Sequence, residues 1–130
     1  MSIQNPVIVF ALFPGVTQLD FTGPHQVFSS LPGAEVILAS AAGGPIETSG
    51  ITFAGLRRLA EIPACDLICV PGGYGVTDNA IGDEVFLGEL RRLAAGARFV
   101  TSVCTGSLAL GATWSTRSIR SAGPWSGCAN

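Results

Sequence analysis

Short apolar runs alternate along this chain with longer stretches in which apolar residues recur at helical spacing. Continuous apolar runs are typical of strands buried on both faces of a sheet, and the longer stretches are typical of helices that cover such a sheet. Two short segments around Ser49-Gly50 predict a hairpin. We therefore predict strands at 6–12, 35–40, 67–70 and 98–103, hairpin strands at 46–48 and 51–53, and helices at 19–30, 83–95 and from 104 to about 112.

This order of elements predicts an α/β fold with a mostly parallel sheet and helices on both of its faces. Ligands of such sheets bind beyond the carboxyl ends of the strands. Three loops are expected to meet there: the loop after the first strand, the loop 71–75 and the turn at Cys104. From Thr113 onward neither the apolar runs typical of strands nor the helical spacing of apolar residues continues, and Ser, Thr, Gly and Arg dominate. We therefore predict one domain over 1–112 and an aperiodic tail over 113–130.

Composition narrows the class of protein. The chain is 48% hydrophobic and 12% charged, with a mean hydropathy of +0.49 and a net charge of −2, whereas an average soluble chain is about 25% charged. All its cations except one His are Arg, and none form a cluster, which disfavours nucleic-acid binding. The apolar run 7–13 is too short to span a membrane, and no positive charge precedes it as in a signal peptide. We expect a cytoplasmic protein without membrane or nucleic-acid partners.

Four cysteines are present: Cys65, Cys69, Cys104 and Cys128. The first two are separated by four residues of extended chain, roughly 13 Å, which is too far for a disulfide. The chain has a single His, so no second half of a metal site accompanies them. We predict reduced thiols, two of them in the core, and no metal.

The segment from Val103 to Ser107 has the form of a nucleophile elbow, in which a strand ends, the chain turns sharply and a helix begins. The side chain at such a turn projects above the sheet, and the unpaired N–H groups at the helix start stabilise an anion such as a thiolate. Gly106 and its small neighbours let the backbone approach a substrate. Cys104 is therefore the candidate nucleophile; the alternative is a cysteine that only packs in the core.

Two further segments are expected beside Cys104. Gly72 and Gly73 follow the neighbouring strand, and their N–H groups, with that of Thr105, can form an oxyanion-type hole; the alternative is an ordinary glycine-rich turn. Asp20 follows the first strand and can hydrogen-bond the Cys104 sulfur or relay a proton. The alternative for Asp20 is the N-cap of the first helix.

Other candidate side chains have weaker support. His25 lies inside the predicted first helix, where a packing role is favoured over a dyad with Cys104. Tyr74, Trp114 and Trp125 are candidates to line a pocket, although both Trp residues lie in the segment from 113 onward.

Three segments in this order resemble the motifs of the ThiJ/PfpI superfamily: Leu-Asp-Phe-Thr-Gly-Pro at 19–24, Val-Pro-Gly-Gly at 70–73 and Thr-Ser-Val-Cys-Thr-Gly-Ser at 101–107. The resemblance covers residues 6–112. It implies a flavodoxin-like three-layer sandwich of the class I glutamine amidotransferase-like type, usually a homodimer and without a metal or other cofactor. Within the superfamily the motifs are most similar to those of the isonitrile hydratases.

That similarity implies hydration of an isocyanide, a small-molecule substrate, to an N-substituted formamide. Cys104, Thr105 and Asp20 would carry the reaction, and Gly72, Gly73 and Gly106 would bind the substrate. The alternatives are an inactive or ligand-binding domain, as in related transcription regulators, or a glyoxalase, deglycase or peptidase. Those enzymes tend to carry Glu on the first-helix side and His after the Cys, where this chain has Asp20 and Thr105.

The chain departs from the superfamily after the elbow helix. Members continue there with further strands and helices, often with a His near the site, whereas this chain has the aperiodic segment 113–130. We expect a truncated or frame-shifted member in which the C-terminal part of the domain is missing and the segment is out of frame.

Overall fold

The computed structural model describes residues 5–113, which form a parallel sheet flanked by helices. In chain order the elements are β1 (Val7–Leu12), α1 (Gln18–Ser29), β2 (Glu35–Ser40), β3 (Ile46–Thr48), β4 (Ile51–Phe53), β5 (Arg57–Arg58), β6 (Leu67–Val70), α2 (Glu84–Gly96), β7 (Phe99–Ser102) and α3 (Gly106–Thr113). A 3-10 turn spans Leu59–Glu61 and a π-helix spans Val76–Ala80.

The main sheet has the strand order β5-β2-β1-β6-β7, and all its pairings are parallel. β1 occupies the centre because it is apolar throughout, and four of its six side chains are fully buried. The hairpin β3–β4 pairs antiparallel apart from this sheet. The α/β fold with a mostly parallel sheet is thereby confirmed.

The helices lie in two layers. In the strand order, β2 lies to one side of β1, and β7 lies to the other side of β6. The connections β1–α1–β2 and β6–α2–β7 therefore run in opposite directions across the sheet. Right-handed crossovers then place α1 and α2 on opposite faces. On one face the Phe10 ring packs against His25 and Phe28 of α1. α3 packs beside α2 and against β6 and β7. Apolar side chains fill the space between each helical layer and the sheet.

Several local predictions need correction. α1 begins at Gln18 after the N-cap Thr17, so Pro24 lies inside the helix rather than near its start. Its ring removes the N–H that would bond the Asp20 carbonyl. β5, the 3-10 turn and the π-helix were not predicted from the sequence, because none of them carries an apolar period. β5 consists of two charged residues that are extended by pairing with β2.

Asp66 joins three strands at the amino end of the sheet. Its carboxylate accepts the Val7 N–H at 2.8 Å, and its own N–H donates to the Val7 carbonyl at 2.8 Å. Its carbonyl accepts the N–H groups of Arg98 and Phe99. This residue therefore fixes the starts of β1, β6 and β7 in register, and the opposite ends of the same strands meet at the other edge of the sheet.

None of the helices within residues 5–113 combines the length and the apolar composition that crossing a membrane requires. The three cysteines in this range are free thiols; Cys65 and Cys69 are buried as predicted, and Cys104 is exposed. Burial raises the pKa of the Cys65 thiol to about 11, with a further rise from the Asp66 carboxylate and an opposing effect of Arg92.

Cys65 should make stability depend on pH in the alkaline range. The folded protein keeps the thiol proton up to about pH 11, whereas the ordinary pKa is 9.0. The folded state therefore binds more protons than the unfolded chain between these values, and its free energy of unfolding falls as pH rises through them. Relative to Cys65→Ala, the wild type should lose roughly 2–3 kcal/mol between pH 8 and pH 11. Urea unfolding at a series of pH values measures this, and parallel curves for the two proteins would contradict it.

Candidate active site

Cys104 lies at a strained turn between β7 and α3. Its φ of 52° is in the left-handed region, which only Asn5 and Ser49 share among the non-glycine residues from 5 to 113. This conformation is costly for a residue with a Cβ, and it recurs at functional sites. The side chain is exposed, as a nucleophile elbow requires.

The end of β6 holds this turn in place. The Val70 carbonyl accepts the Val103 N–H at 3.0 Å, and the Val103 carbonyl accepts the Gly106 N–H at 3.0 Å. Gly106 is buried, and a Cβ added to it would collide with the carbonyl oxygens of Val70 and Pro71. α3 can therefore start this close to the sheet only with glycine at 106, which gives the residue a packing role in addition to the predicted one.

Gly72 lies between the turn and α1. A Cβ added there would lie 2.8 Å from the Thr105 nitrogen and 2.9 Å from the Cys104 Cβ, so the backbone touches the turn directly. On its other side, the Gly72 N–H donates to Asp20 Oδ2 at 3.1 Å. The structure thus brings together the three segments that the sequence analysis singled out.

Gly73 continues this contact. Its N–H donates to Thr105 Oγ1 at 3.0 Å, and the Thr105 hydroxyl lies 3.4 Å from the Gly73 carbonyl oxygen, to which it donates. Both glycine N–H groups that were predicted to line an oxyanion hole are therefore bonded to side chains in this structure. The Thr105 N–H forms no hydrogen bond with any residue in the described range. A hole that uses all three groups stays a prediction.

Asp20 lies in the first turn of α1 and is half-buried. The N-cap alternative is wrong, because Thr17 occupies that position and its carbonyl accepts the Asp20 N–H at 3.0 Å. Between residues 5 and 113 no hydrogen bond joins Asp20 to the Cys104 sulfur; its carboxylate bonds Gly72 instead. Gly72 therefore separates the Asp20 carboxylate from Cys104 and contacts both.

A second thiol lies beneath the site. Burial raises the pKa of Cys69, a hydrogen bond with the Thr101 side chain lowers it, and the Asp20 carboxylate raises it again. Cys69 is therefore protonated near neutral pH. Cys69 is also buried, whereas the Cys104 thiol is exposed.

The remaining candidates lie away from the turn. The His25 ring packs edge-on against Phe10 with 6.1 Å between ring centroids, which agrees with the packing interpretation. Tyr74 is 89% exposed, so it lines no enclosed pocket. Trp114, Trp125 and Cys128 lie outside the described residues. Within the described range no three His, Cys, Asp or Glu side chains come close enough to hold a metal ion.

Sequence reasoning missed two residues that shape the site. The Thr17 N–H donates to the Gly72 carbonyl at 2.8 Å, and the Asn79 side-chain amide donates to the Pro14 carbonyl at 2.9 Å. Both contacts join loops that are far apart in sequence. Neither residue belongs to an apolar period or to one of the motifs, so the sequence carries no signal that could have identified them.

Comparison with known proteins gives consistent matches. The model of the DJ-1/PfpI family matches residues 6–126. Isonitrile hydratase from Pseudomonas putida is 44% identical over 119 residues, which cover 91% of this chain and 52% of that protein. The chain therefore spans about half the length of this curated relative. The family match continues beyond residue 112, where we place the end of the domain, and that boundary stays a prediction.

Two crystal structures show the same fold. A ThiJ/PfpI family protein from Pseudomonas syringae is 30% identical with a TM-score of 0.80, and the match covers 85% of this chain and 47% of that one. Drosophila melanogaster DJ-1beta is 19% identical with a TM-score of 0.73, and the match covers 85% of this chain and 61% of that one. The flavodoxin-like α/β fold implied by the motifs is thereby confirmed.

Gly72→Ala should distort the turn that carries Cys104. The added methyl group would overlap the Thr105 nitrogen and the Cys104 Cβ, neither of which can rotate away. We expect a loss of roughly 2–3 kcal/mol in the free energy of unfolding and a changed rate of Cys104 alkylation by iodoacetamide. Gly88→Ala is the matched control, because a Cβ on this exposed glycine of α2 meets nothing within 4 Å. Equal stability of the two variants would contradict the close approach.

Proposed function

The chain belongs to the DJ-1/PfpI family, and we propose that it is a cysteine-dependent hydro-lyase that hydrates an isocyanide to an N-substituted formamide. The observation that carries the proposal is the exposed thiol of Cys104, held at φ 52° at the start of α3 with the Asp20 carboxylate one glycine away. The choice of reaction follows the 44% identity to isonitrile hydratase.

In the first step the Cys104 thiol adds to the terminal carbon of the isocyanide, R–N≡C. The Cys104 sulfur forms a C–S bond to this carbon, the carbon gains one proton, and a thioimidate, R–N=CH–S–Cys, results. A sulfur at a helix start attacks as the thiolate, which the unpaired N–H groups there stabilise. The Thr105 N–H is one such group, because it bonds no residue in the described range.

The second step hydrolyses the thioimidate. Water adds to the carbon and the nitrogen gains a proton; then the C–S bond breaks, its electron pair returns to sulfur, and the loss of the hydroxyl proton gives R–NH–CHO. Asp20 serves as the base that takes a proton from the attacking water. Its hydrogen bond to Gly72 keeps the carboxylate beside the carbon that Cys104 holds.

Thr105 also has a structural role in the proposed mechanism. Its hydroxyl is engaged with both the N–H and the carbonyl of Gly73, so it ties the Gly72–Gly73 segment to the turn. In the proposal Gly72, Gly73 and Gly106 bind the small-molecule substrate through their main chain, which lies close to the neighbouring segments at all three positions. The proposal includes a homodimer in the cytoplasm that needs no metal or organic cofactor.

Removing the nucleophile should abolish the reaction. Cys104→Ala should give no N-cyclohexylformamide from cyclohexyl isocyanide, and Asp20→Asn should lower kcat by roughly 10²–10⁴-fold because the carboxylate base is lost. Product formation is measured by gas chromatography or NMR, and peptide mapping after iodoacetamide treatment identifies the reactive thiol.

Cys65→Ala is the matched control, because it removes a thiol at the amino end of β6, away from the site. A folded Cys104→Ala variant that still turns over would refute the nucleophile. A folded wild type that binds the isocyanide without turnover would favour the alternative of a ligand-binding domain.

A further inference from the structure

The polar triplet Thr77-Asp78-Asn79 has no part in the proposed chemistry, yet it lies beside the site. It belongs to the π-helix Val76–Ala80, in which the Ile81 N–H donates to the Val76 carbonyl at 3.0 Å. The two ends of this turn are buried and the triplet is exposed. π-helical turns are rare and recur at functional sites, so this turn indicates a constraint beyond packing.

The Asn79 side chain joins two loops of the site. Its Nδ2 donates to the Pro14 carbonyl at 2.9 Å, across 65 residues of sequence. Next to this bond, the Gly75 N–H donates to the Gly15 carbonyl at 3.1 Å, and a Cβ on Gly15 would lie 2.9 Å from the Gly75 Cα. These contacts fix the loop after β1 against the segment that follows Gly73.

The position of Asp20 depends on the same junction. The loop after β1 ends at Thr17, whose N–H donates to the Gly72 carbonyl at 2.8 Å and whose carbonyl accepts the Asp20 N–H. Gly72 in turn donates its own N–H to the Asp20 carboxylate. Through Thr17, this loop therefore connects the Asn79–Pro14 and Gly75–Gly15 contacts to the hydrogen bond between Gly72 and Asp20.

We propose that Asn79 is a positioning residue: its amide holds the loop after β1 so that the Asp20 carboxylate stays on the Gly72 N–H, beside Cys104. Asn79 touches no reacting atom and acts through Asp20. Its effect on turnover rests on the proposed function, whereas its effect on the Asp20–Gly72 hydrogen bond does not.

The first experiment measures hydrogen exchange of the Gly72 amide by NMR. Asn79→Leu removes the donor at similar size, Asn79→Gln keeps an amide, and Thr77→Val is the control on the same turn, because the Thr77 hydroxyl donates locally to the Tyr74 carbonyl. Asn79→Leu should speed Gly72 exchange roughly fivefold, as expected for the loss of one neutral hydrogen bond. Asn79→Gln should restore slow exchange at least in part, and Thr77→Val should leave it unchanged. Unaltered Gly72 exchange in Asn79→Leu would overturn the proposal.

The second experiment is a double-mutant cycle in turnover of cyclohexyl isocyanide. Asn79→Leu should lower kcat roughly tenfold with KM almost unchanged, since it misplaces a group used in the reaction and not in binding. Added to Asp20→Asn, it should cost nothing further. A full additional loss in that background would overturn the route through Asp20. Absence of turnover in the wild type would refute the proposed function, while Gly72 exchange would still decide whether Asn79 holds Asp20 in place.

Discussion

The approach of the Gly72 backbone to the Cys104–Thr105 turn is the contact on which the site depends. Without a side chain at 72, the end of β6 reaches the turn after β7 on one side and the first turn of α1 on the other. Parallel pairing of β1, β6 and β7 brings these three ends to the same edge of the sheet. Gly72 therefore lies between the candidate nucleophile Cys104 and the candidate base Asp20 and contacts the segments that carry both.

Much of this arrangement follows from the sequence because the elements that build it are strongly patterned. β1 is a continuous apolar run, and α2 begins at Glu84 after the N-cap Asp83, whose carboxylate accepts the Phe86 N–H. Both signals act locally, so a single sequence is enough to place them. The order of strands and helices then leaves few topologies, and the three site segments could be predicted to converge.

The parts that could not be predicted depend on contacts between distant residues. Asp20 and Gly72, which share one hydrogen bond, are 52 positions apart in the sequence. Asn79 and Pro14, which share another, are 65 positions apart. A donor or acceptor in the sequence does not identify its partner, and a glycine or asparagine in a loop is ambiguous on its own. The π-helix was missed for a related reason, since its triplet of polar residues has the composition of an ordinary loop.

The glycine contacts also determine which positions around the site are free to vary. Side chains cannot be enlarged at Gly72, Gly73 or Gly106 without collision with backbone. Large side chains in or directly after the three site segments, by contrast, stand in solvent: Tyr74 is 89% exposed, Leu19 71% and Leu108 50%. A library that aims to change substrate preference should therefore diversify these exposed positions and leave the glycines intact, because a side chain at a glycine would displace the main chain that holds Cys104, Asp20 and Thr105 together.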